Sequence, residues 1–235
     1  MNASSDDTQL LPEQFNMVMM SFIHDIKNSL LMSLGNLDAL SEVIESEHPD
    51  HKEKIALTQY ELRRINNALV QLLSLYKMEH HLFSVNIDQH NVYDFLDDIL
   101  ITNTPGQTAN HLDISLECEE DLNWFFDTDL IASIINNVLN NTLRYASKRI
   151  LISAYTENQF LVIAIEDDGE GFPDKLFHQA DNLETVINMK TGSTGLGLYF
   201  AEQISRTHRN KERTGYTRID NDSSLGGGRF QLFLP

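Results

Sequence analysis

An apolar seam governs the first third of this chain. Met19, Ile23, Ile26, Leu30, Ser33, Leu37, Leu40 and Ile44 recur at alternating four- and three-residue steps. That mean spacing of about 3.5 suits a long helix packed lengthwise against another helix. Ser33 is the one polar member and does not break the run. Pro49, in His48-Pro49-Asp50, disfavours helix for the residue before it, and a second periodic run starts near Lys52 with Ile55, Leu62, Ile65, Leu69, Leu72 and Tyr76. The spacing predicts two long helices joined by a short polar turn, an antiparallel hairpin over residues 15–80. Leu31, Leu34, Leu57, Leu73 and Leu75 lie off the seam, so one hairpin leaves a second apolar face. Either a second copy covers it, giving a homodimeric four-helix bundle, or the hairpin packs on the rest of its own chain; the bundle is the more economical solution.

Around this hairpin the pattern differs. Residues 1–14 are polar and read as a disordered tail, and residues 81–86 read as a linker. From 87 to 235 short alternating runs replace the long seam. Val85 and Ile87 suggest a short strand, Val92–Ile101 a helix, and Leu112, Ile114 and Leu116 a strand over 113–117. A helix over Asp129–Tyr145 follows. Arg149–Tyr155 and Phe160–Asp167 read as neighbouring strands about the turn Glu157-Asn158-Gln159, then Gly195–Arg209 as a helix. Tyr216–Asp220 and Arg229–Leu234 close the chain as strands around an Asn-Asp-Ser-Ser and Gly226-Gly227-Gly228 turn. Trp124, Phe125 and Phe126 read as core. The fold class expected is α+β: the helical hairpin, then an α/β sandwich whose mixed sheet is covered by helices on one face.

Composition excludes several functions. The 235 residues are 41% apolar, enough for a sizeable core, and the formal net charge is -18. Such a charge repels nucleic acid and anionic lipid, so neither is an expected partner. The lone Cys118 cannot form a disulfide within one chain and fits a reducing compartment. No apolar stretch reaches the roughly 20 residues needed to span a bilayer, and the polar start lacks the basic flank of a signal peptide. These features predict a cytoplasmic protein without membrane insertion.

Three motifs carry chemistry in the C-terminal part. Asn136-Asn137-Val138-Leu139-Asn140-Asn141-Thr142-Leu143-Arg144-Tyr145 lies on a helix, DDGEG spans 167–171 and STGLGL spans 193–198. A carboxamide can ligate Mg²⁺ through oxygen, and glycine turns leave backbone amides free for phosphate, so together they describe a nucleotide pocket. The negative chain makes ATP a poor ligand unless Mg²⁺ offsets part of the phosphate charge. Far upstream, His24 lies beside seam positions Ile23 and Ile26 and should project from the flank of the bundle. Alone, it would be read as a surface histidine, and DDGEG as an Asp-Gly hairpin turn.

The order HDIKN, NNVLNNTLRY, DDGEG, STGLGL resembles that of a sensor histidine kinase catalytic core. Such a core joins a dimerisation and phosphoacceptor hairpin to an ATP-binding domain of the type shared with gyrase and the Hsp90 chaperones. The resemblance runs from Phe15 to Pro235. It implies that His24 attacks the γ-phosphoryl of ATP with Asp25 as base, and that Asn28, one turn further on, positions water to hydrolyse a phosphoaspartate, where its alternative is a solvated polar residue. It places Asn137 and Asn141 on the phosphate side, with Asn141 the Mg²⁺ ligand, Arg144 on phosphates and Tyr145 flanking the nucleotide. Asp167 accepts from the adenine amino group, and Gly169 and Gly171 let the backbone approach the base. Residues 172–194 form a lid with Phe177 as anchor and Lys190 and Thr194 near phosphate. Gly195, Leu196 and Gly197 open a helix whose N-terminal amides suit phosphate. Asn136 and Asn140 read as helix surface, and Asp168 and Glu170 as solvent-facing. Ser29 stands where the family usually has proline, which removes the expectation of a kink.

The expected activity is that of an ATP-dependent protein-histidine kinase that passes its phosphoryl group to an aspartate of a response regulator receiver domain, and that also serves as its phosphatase. Input would come through the N-terminal segment or from a separate sensor protein in trans. Two alternatives compete: a dimeric histidine phosphotransfer adaptor with a non-functional nucleotide pocket, and an ATPase or serine kinase of the same nucleotide fold.

Overall fold

The computed structural model describes residues 12–47, 52–79, 84–103, 112–176 and 195–235. The chain divides into two compact units, Met1–Phe83 and Ser84–Pro235. None of its described helices is long and apolar enough to cross a membrane.

In the first unit, α1 (Pro12–Glu47) and α2 (Lys52–Glu79) are the two long helices the seam predicts. Helix α1 begins inside the segment expected to be a tail, and Pro12 suits that place because a first-turn N–H would be unsatisfied anyway. The intervening turn at 48–51 lies outside the described residues, as do residue 80 of the expected hairpin and 81–83 of the expected linker. Asp38 Oδ1, ten residues before the turn, accepts from Gln59 Nε2 at 2.8 Å and Arg63 Nη2 at 3.4 Å, which sets the two helices antiparallel. Burial only partly follows the seam. Ile23 and the off-seam Leu34 are buried, whereas the seam residues Leu40, Ile65 and Leu72 are exposed, together with Leu31. A straight helix drifts against a 3.5-residue repeat, so the two helices of one hairpin leave part of the stripe uncovered.

The second unit opens with β1 (Asp88–Asn91) and α3 (Val92–Asn103). The first strand thus lies beyond Val85 and Ile87, where it had been expected. It is fixed by pairing antiparallel with β3 (Asn123–Phe126) in the register Asp88 to Phe126. That pairing also corrects the reading of 124–126 as one block of core: alternation buries Phe126 and leaves Phe125 exposed. The main sheet contains β2 (Asp113–Cys118), β4 (Arg149–Glu157), β5 (Phe160–Asp167), β8 (Tyr216–Asp220) and β9 (Arg229–Leu234) in the order β2-β4-β5-β9-β8. Only the β2–β4 pair is parallel, so the sheet is mixed. Asn158 and Gln159, both at positive φ, make the two-residue turn between β4 and β5. Two-residue strands β6 (Arg209–Asn210) and β7 (Arg213–Thr214) form a small hairpin.

Helices α4 (Thr128–Tyr145) and α5 (Gly195–Thr207) pack together and against the sheet. Helix α4 buries Ile131, Ile134, Ile135, Val138, Leu139 and Thr142, a repeat of three and one that makes one face. It packs on β5, whose Ile163 and Ile165 the strand register places on one side of the sheet with Ile150, Ile152, Phe230 and Leu232, all of them buried. Each such side chain, fully buried, contributes about 1.5–3 kcal/mol. The central strand β5 is buried along seven of its eight residues and ends at Asp167, so the core itself delivers the DDGEG turn to the end of the sheet.

Candidate functional site

Helix α4 is anchored at its start. Asp127 caps it, accepting from Leu130 N through Oδ1 at 3.1 Å, and its Oδ2 accepts from Asn86 N at 2.7 Å. The buried His208, just beyond α5, accepts from Asp127 N at Nε2 (3.1 Å). Burial pushes its pKa down despite the Ile204 carbonyl and Asp127, which keeps that nitrogen available as an acceptor. With one face committed to the core, the other edge of α4 carries Asn141, Arg144 and Tyr145 to a cavity of about 530 Å³. The guanidinium of Arg144 lies 5.4 Å from the centre of the Tyr145 ring. Asn137 faces Gly197 instead: its Nδ2 is buried without a hydrogen-bond partner among the described residues, and a Cβ on Gly197 would lie 2.4 Å from it.

The opposite wall is the DDGEG turn. Asp167 Oδ1 accepts from Gly169 N at 2.7 Å and Gly228 N at 3.4 Å, which fixes the carboxylate. Its Oδ2 has no hydrogen bond among the described residues, and Asp167 lines the cavity. Gly169 lies behind this wall, where a Cβ would stand 2.3 Å from the Tyr145 carbonyl oxygen, so glycine lets the turn abut the end of α4. Glu170 and Gly171 line the cavity, as do Phe172, Pro173 and Leu176 after them, Leu198 of α5 and Gly228.

Asp168 does not face solvent as expected. Its Oδ1 accepts from the backbone amides of Ser147, Lys148 and Arg149 at 2.9, 2.9 and 3.0 Å, clamping the α4–β4 connection to the end of β5. Burial works against its charge, but the Lys148, Arg149 and Ser147 amides win and hold its carboxyl below the usual range. Asn136, read as helix surface, accepts from Asn103 Nδ2 at 2.7 Å and ties α4 to α3. Glu170 likewise belongs to the cavity and not merely to the surface.

Of the residues anticipated for the site, the fold gathers Asn141, Arg144, Tyr145, Asp167 and Gly171 on the cavity. Asn137, Gly169 and Gly197 support it from behind. Gly195 and Leu196 open α5, while Lys190, Thr194 and the lid anchor Phe177 lie outside the described residues. Sequence reasoning gave Phe172 only as the start of the lid and Leu198 only as part of STGLGL, and it missed Gly228. A signal existed for the last: the Gly226-Gly227-Gly228 run is longer than a hairpin turn requires.

In the helical unit, His24 stands on α1 with its side chain 60% exposed. Its Nδ1 is 3.2 Å from Asn28 Nδ2 and 3.9 Å from Asp25 Oδ1. Ser29 Oγ donates to the Asp25 carbonyl at 3.0 Å, and the helix continues unbroken through it.

The C-terminal unit is an α/β sandwich with a glycine-framed cavity at the end of its central strand. Residues 126–235 match the family described as histidine kinase-, DNA gyrase B- and HSP90-like ATPase. Over 90% of its length the chain is also similar to proteins named sensor histidine kinase or sensor protein. It is 25% identical to the sensor histidine kinase RppB of Synechocystis sp. over 221 residues, which is 47% of that protein. It is 26% identical to the sensor protein SrrB of Staphylococcus aureus over 222 residues, or 36% of that protein. The chain therefore spans half or less of these relatives' length. The fold is also that of the histidine kinase AdeS of Acinetobacter baumannii, with a TM-score of 0.59 at 17% identity over 86% of this chain and 96% of that one.

Proposed function

We propose that this protein is an ATP-dependent protein-histidine kinase of two-component signalling, acting in the cytoplasm as a homodimer. It autophosphorylates His24 and passes the phosphoryl group to an aspartate of a response regulator receiver domain. The observation that carries this reading is Asp167. Two backbone amides occupy one carboxylate oxygen and leave the other at the cavity wall, where an acceptor selects an adenine amino group over the guanine carbonyl.

The remaining lining suits a polyphosphate. Arg144 supplies positive charge at the wall, while Asn137, outside the lining, leaves its buried Nδ2 beside Gly197 without an acceptor among the described residues. Asn141 would hold Mg²⁺ through its amide oxygen, and the ion would offset phosphate charge that a chain of net charge -18 otherwise repels. At the other unit, attack through Nε2 requires the ring proton on Nδ1, facing Asp25 Oδ1 at 3.9 Å, with the Asn28 amide turned to present its oxygen to Nδ1. A bond forms from Nε2 to the γ-phosphorus while its bond to the β,γ-bridging oxygen breaks. ADP leaves, and the imidazole proton passes to Asp25. The exposed apolar residues Leu31, Leu40, Ile65 and Leu72 support pairing with a second copy into a four-helix bundle. Input would then reach the hairpin from the N-terminal segment or from a sensor protein in trans.

Incubation with γ-labelled ATP and Mg²⁺ tests the reading. Acid-labile, base-stable label that disappears in His24→Gln is expected. No label at all supports the phosphotransfer adaptor instead, and acid-stable label on a partner supports a serine kinase. Asn28 would also orient water toward a regulator phosphoaspartate. Its replacement in Asn28→Ala should slow regulator dephosphorylation by about tenfold or more while autophosphorylation persists, since a positioned polar group is worth on the order of a factor of ten or more.

A further inference from the structure

We propose that Asn221 is a positioning residue for the nucleotide cavity, holding Phe172 in its wall; this rests on the reading that the cavity takes ATP. Asn221 directly follows β8. Its Oδ1 accepts from Phe172 N at 2.7 Å, and its Nδ2 donates to Phe172 O at 3.0 Å. One side-chain amide thus satisfies both backbone groups of a single residue, as a neighbouring strand would. Asn221 is exposed, so burial does not account for its placement. The preceding Gly171 has φ +79°, and a Cβ there would lie 2.6 Å from Asn221 Oδ1. Glycine therefore permits both the turn and the approach of the amide.

What gives Asn221 leverage is the loop behind it. Ser223 Oγ and Gly227 N both donate to the Asp167 carbonyl at 3.0 Å, and Ser224 N donates to Glu166 Oε2 at 2.6 Å. The loop is therefore bolted to the strand end that carries Asp167. From that anchorage Asn221 reaches 49 residues back along the chain to grip Phe172. The Phe172 ring in turn packs on Gly228, where a Cβ would lie 3.1 Å from its Cε2. Phe172, Gly228 and Asp167 all line the cavity, so the carboxylate and the aromatic wall hold a fixed separation only while the Asn221 bonds hold. Nothing in the periodicity of the sequence marks Asn221 for this task.

The test compares the full-length parent with Asn221→Ala and Asn221→Asp, measuring Mg-ATP affinity by calorimetry and the thermal midpoint without nucleotide. The alanine variant loses two hydrogen bonds to Phe172 and should bind Mg-ATP about tenfold more weakly. The aspartate variant still accepts from Phe172 N but cannot donate to its carbonyl, so its affinity should fall in between, at least about threefold below the parent. In autophosphorylation, KM for ATP should rise by the same factor while the rate at saturating ATP stays within about twofold. Parental affinity in the alanine variant, or a lowered thermal midpoint with unchanged affinity, overturns the proposal. If the alanine variant does not fold, parental affinity in Asn221→Asp overturns it alone. A parent that takes up no nucleotide sinks the ATP reading itself, an outcome distinct from equal affinities.

Discussion

The two units hold their polar groups in opposite ways. At the end of β5, one oxygen of Asp167 is fixed by two backbone amides and one oxygen of Asp168 by three. On α1, His24 and Asp25 are 60% and 74% exposed and stand 3.9 Å apart, and the other close neighbour of His24 Nδ1 is the side chain of Asn28. The first arrangement is over-determined and the second is loose. A pocket that must discriminate a small ligand gains from groups that need no reorganisation on binding, since ordering them then would subtract from affinity. An imidazole that must meet a nucleotide in one step and a regulator in the next gains from exposure. On the proposed function, rigidity and exposure divide between recognition and phosphoryl presentation.

The largest effect should come from the rigid side. Asp167→Asn replaces a carboxylate fixed by two N–H groups with an amide that must either turn its own NH₂ toward those donors or forfeit its acceptor at the cavity wall. Hydrogen bonds to charged groups contribute about 1.5–3 kcal/mol, so Mg-ATP affinity should fall by about 10- to 100-fold. Calorimetry on the purified variant checks this. Affinity within twofold of the parent would show that the acceptor does not read the ligand, and the contrast between the units would then lose its functional meaning.

What the sequence disclosed and what it hid follow the same division. The hairpin was legible because its signal is periodic: Ile23 and Ile55 recur with their neighbours at steps that no strand could use. Asn141, Arg144, Tyr145 and Asp167 were legible because a strand end or a helix edge places them by local geometry. Asp168 was not. Its identity as an amide clamp depends on a connection about twenty residues earlier that doubles back to meet it. The contact of Phe172 with Gly228 was hidden for the same reason, since it spans the β8–β9 loop, and loop closure leaves no period to read. The seam itself overstated what one protomer buries. Its residues Leu40, Ile65 and Leu72 are exposed because a 3.5-residue repeat encodes a packed stripe without saying what packs on it.

The same substitution made in each unit sharpens the comparison. Asp168→Ala removes the acceptor of three amides and should lower the stability of the C-terminal unit by about 2 kcal/mol, a fall of roughly 4–8 °C in thermal midpoint. Trp124, the only tryptophan, lies in that unit and reports its melting. The effect carries a pH signature. The Asp168 carboxyl is held below its ordinary value, so its contribution is complete above the ordinary carboxylate range and fades as pH falls through the lowered value. Parent and variant should thus differ at pH 7 and converge in acid below about pH 4. A difference that grew on acidification would contradict the clamp.

Asp38→Ala is the counterpart in the hairpin and should have the smallest effect. Asp38 also serves several donors, Gln59 Nε2 at 2.8 Å and Arg63 Nη2 at 3.4 Å, so a count of contacts would rank it near Asp168. Geometry and solvent rank it lower. Its partners are flexible side chains, where Asp168 holds three backbone amides beside its ion pair with Arg149, and in the Arg63 pair the side chains are 60% and 52% exposed. Ordering long side chains costs entropy that offsets much of the attraction, and exposed pairs contribute about 0–1 kcal/mol. Because an exposed pair of this kind contributes about half a kcal/mol or less, the hairpin melt followed by circular dichroism should move by no more than about 4 °C, and the shift should shrink further in 1 M salt, where screening acts within about 3 Å. A salt-insensitive fall as large as that of Asp168→Ala would mean that the polar contacts of the hairpin are as fixed as those of the pocket, and the exposure of His24 could no longer be attributed to a loosely held surface.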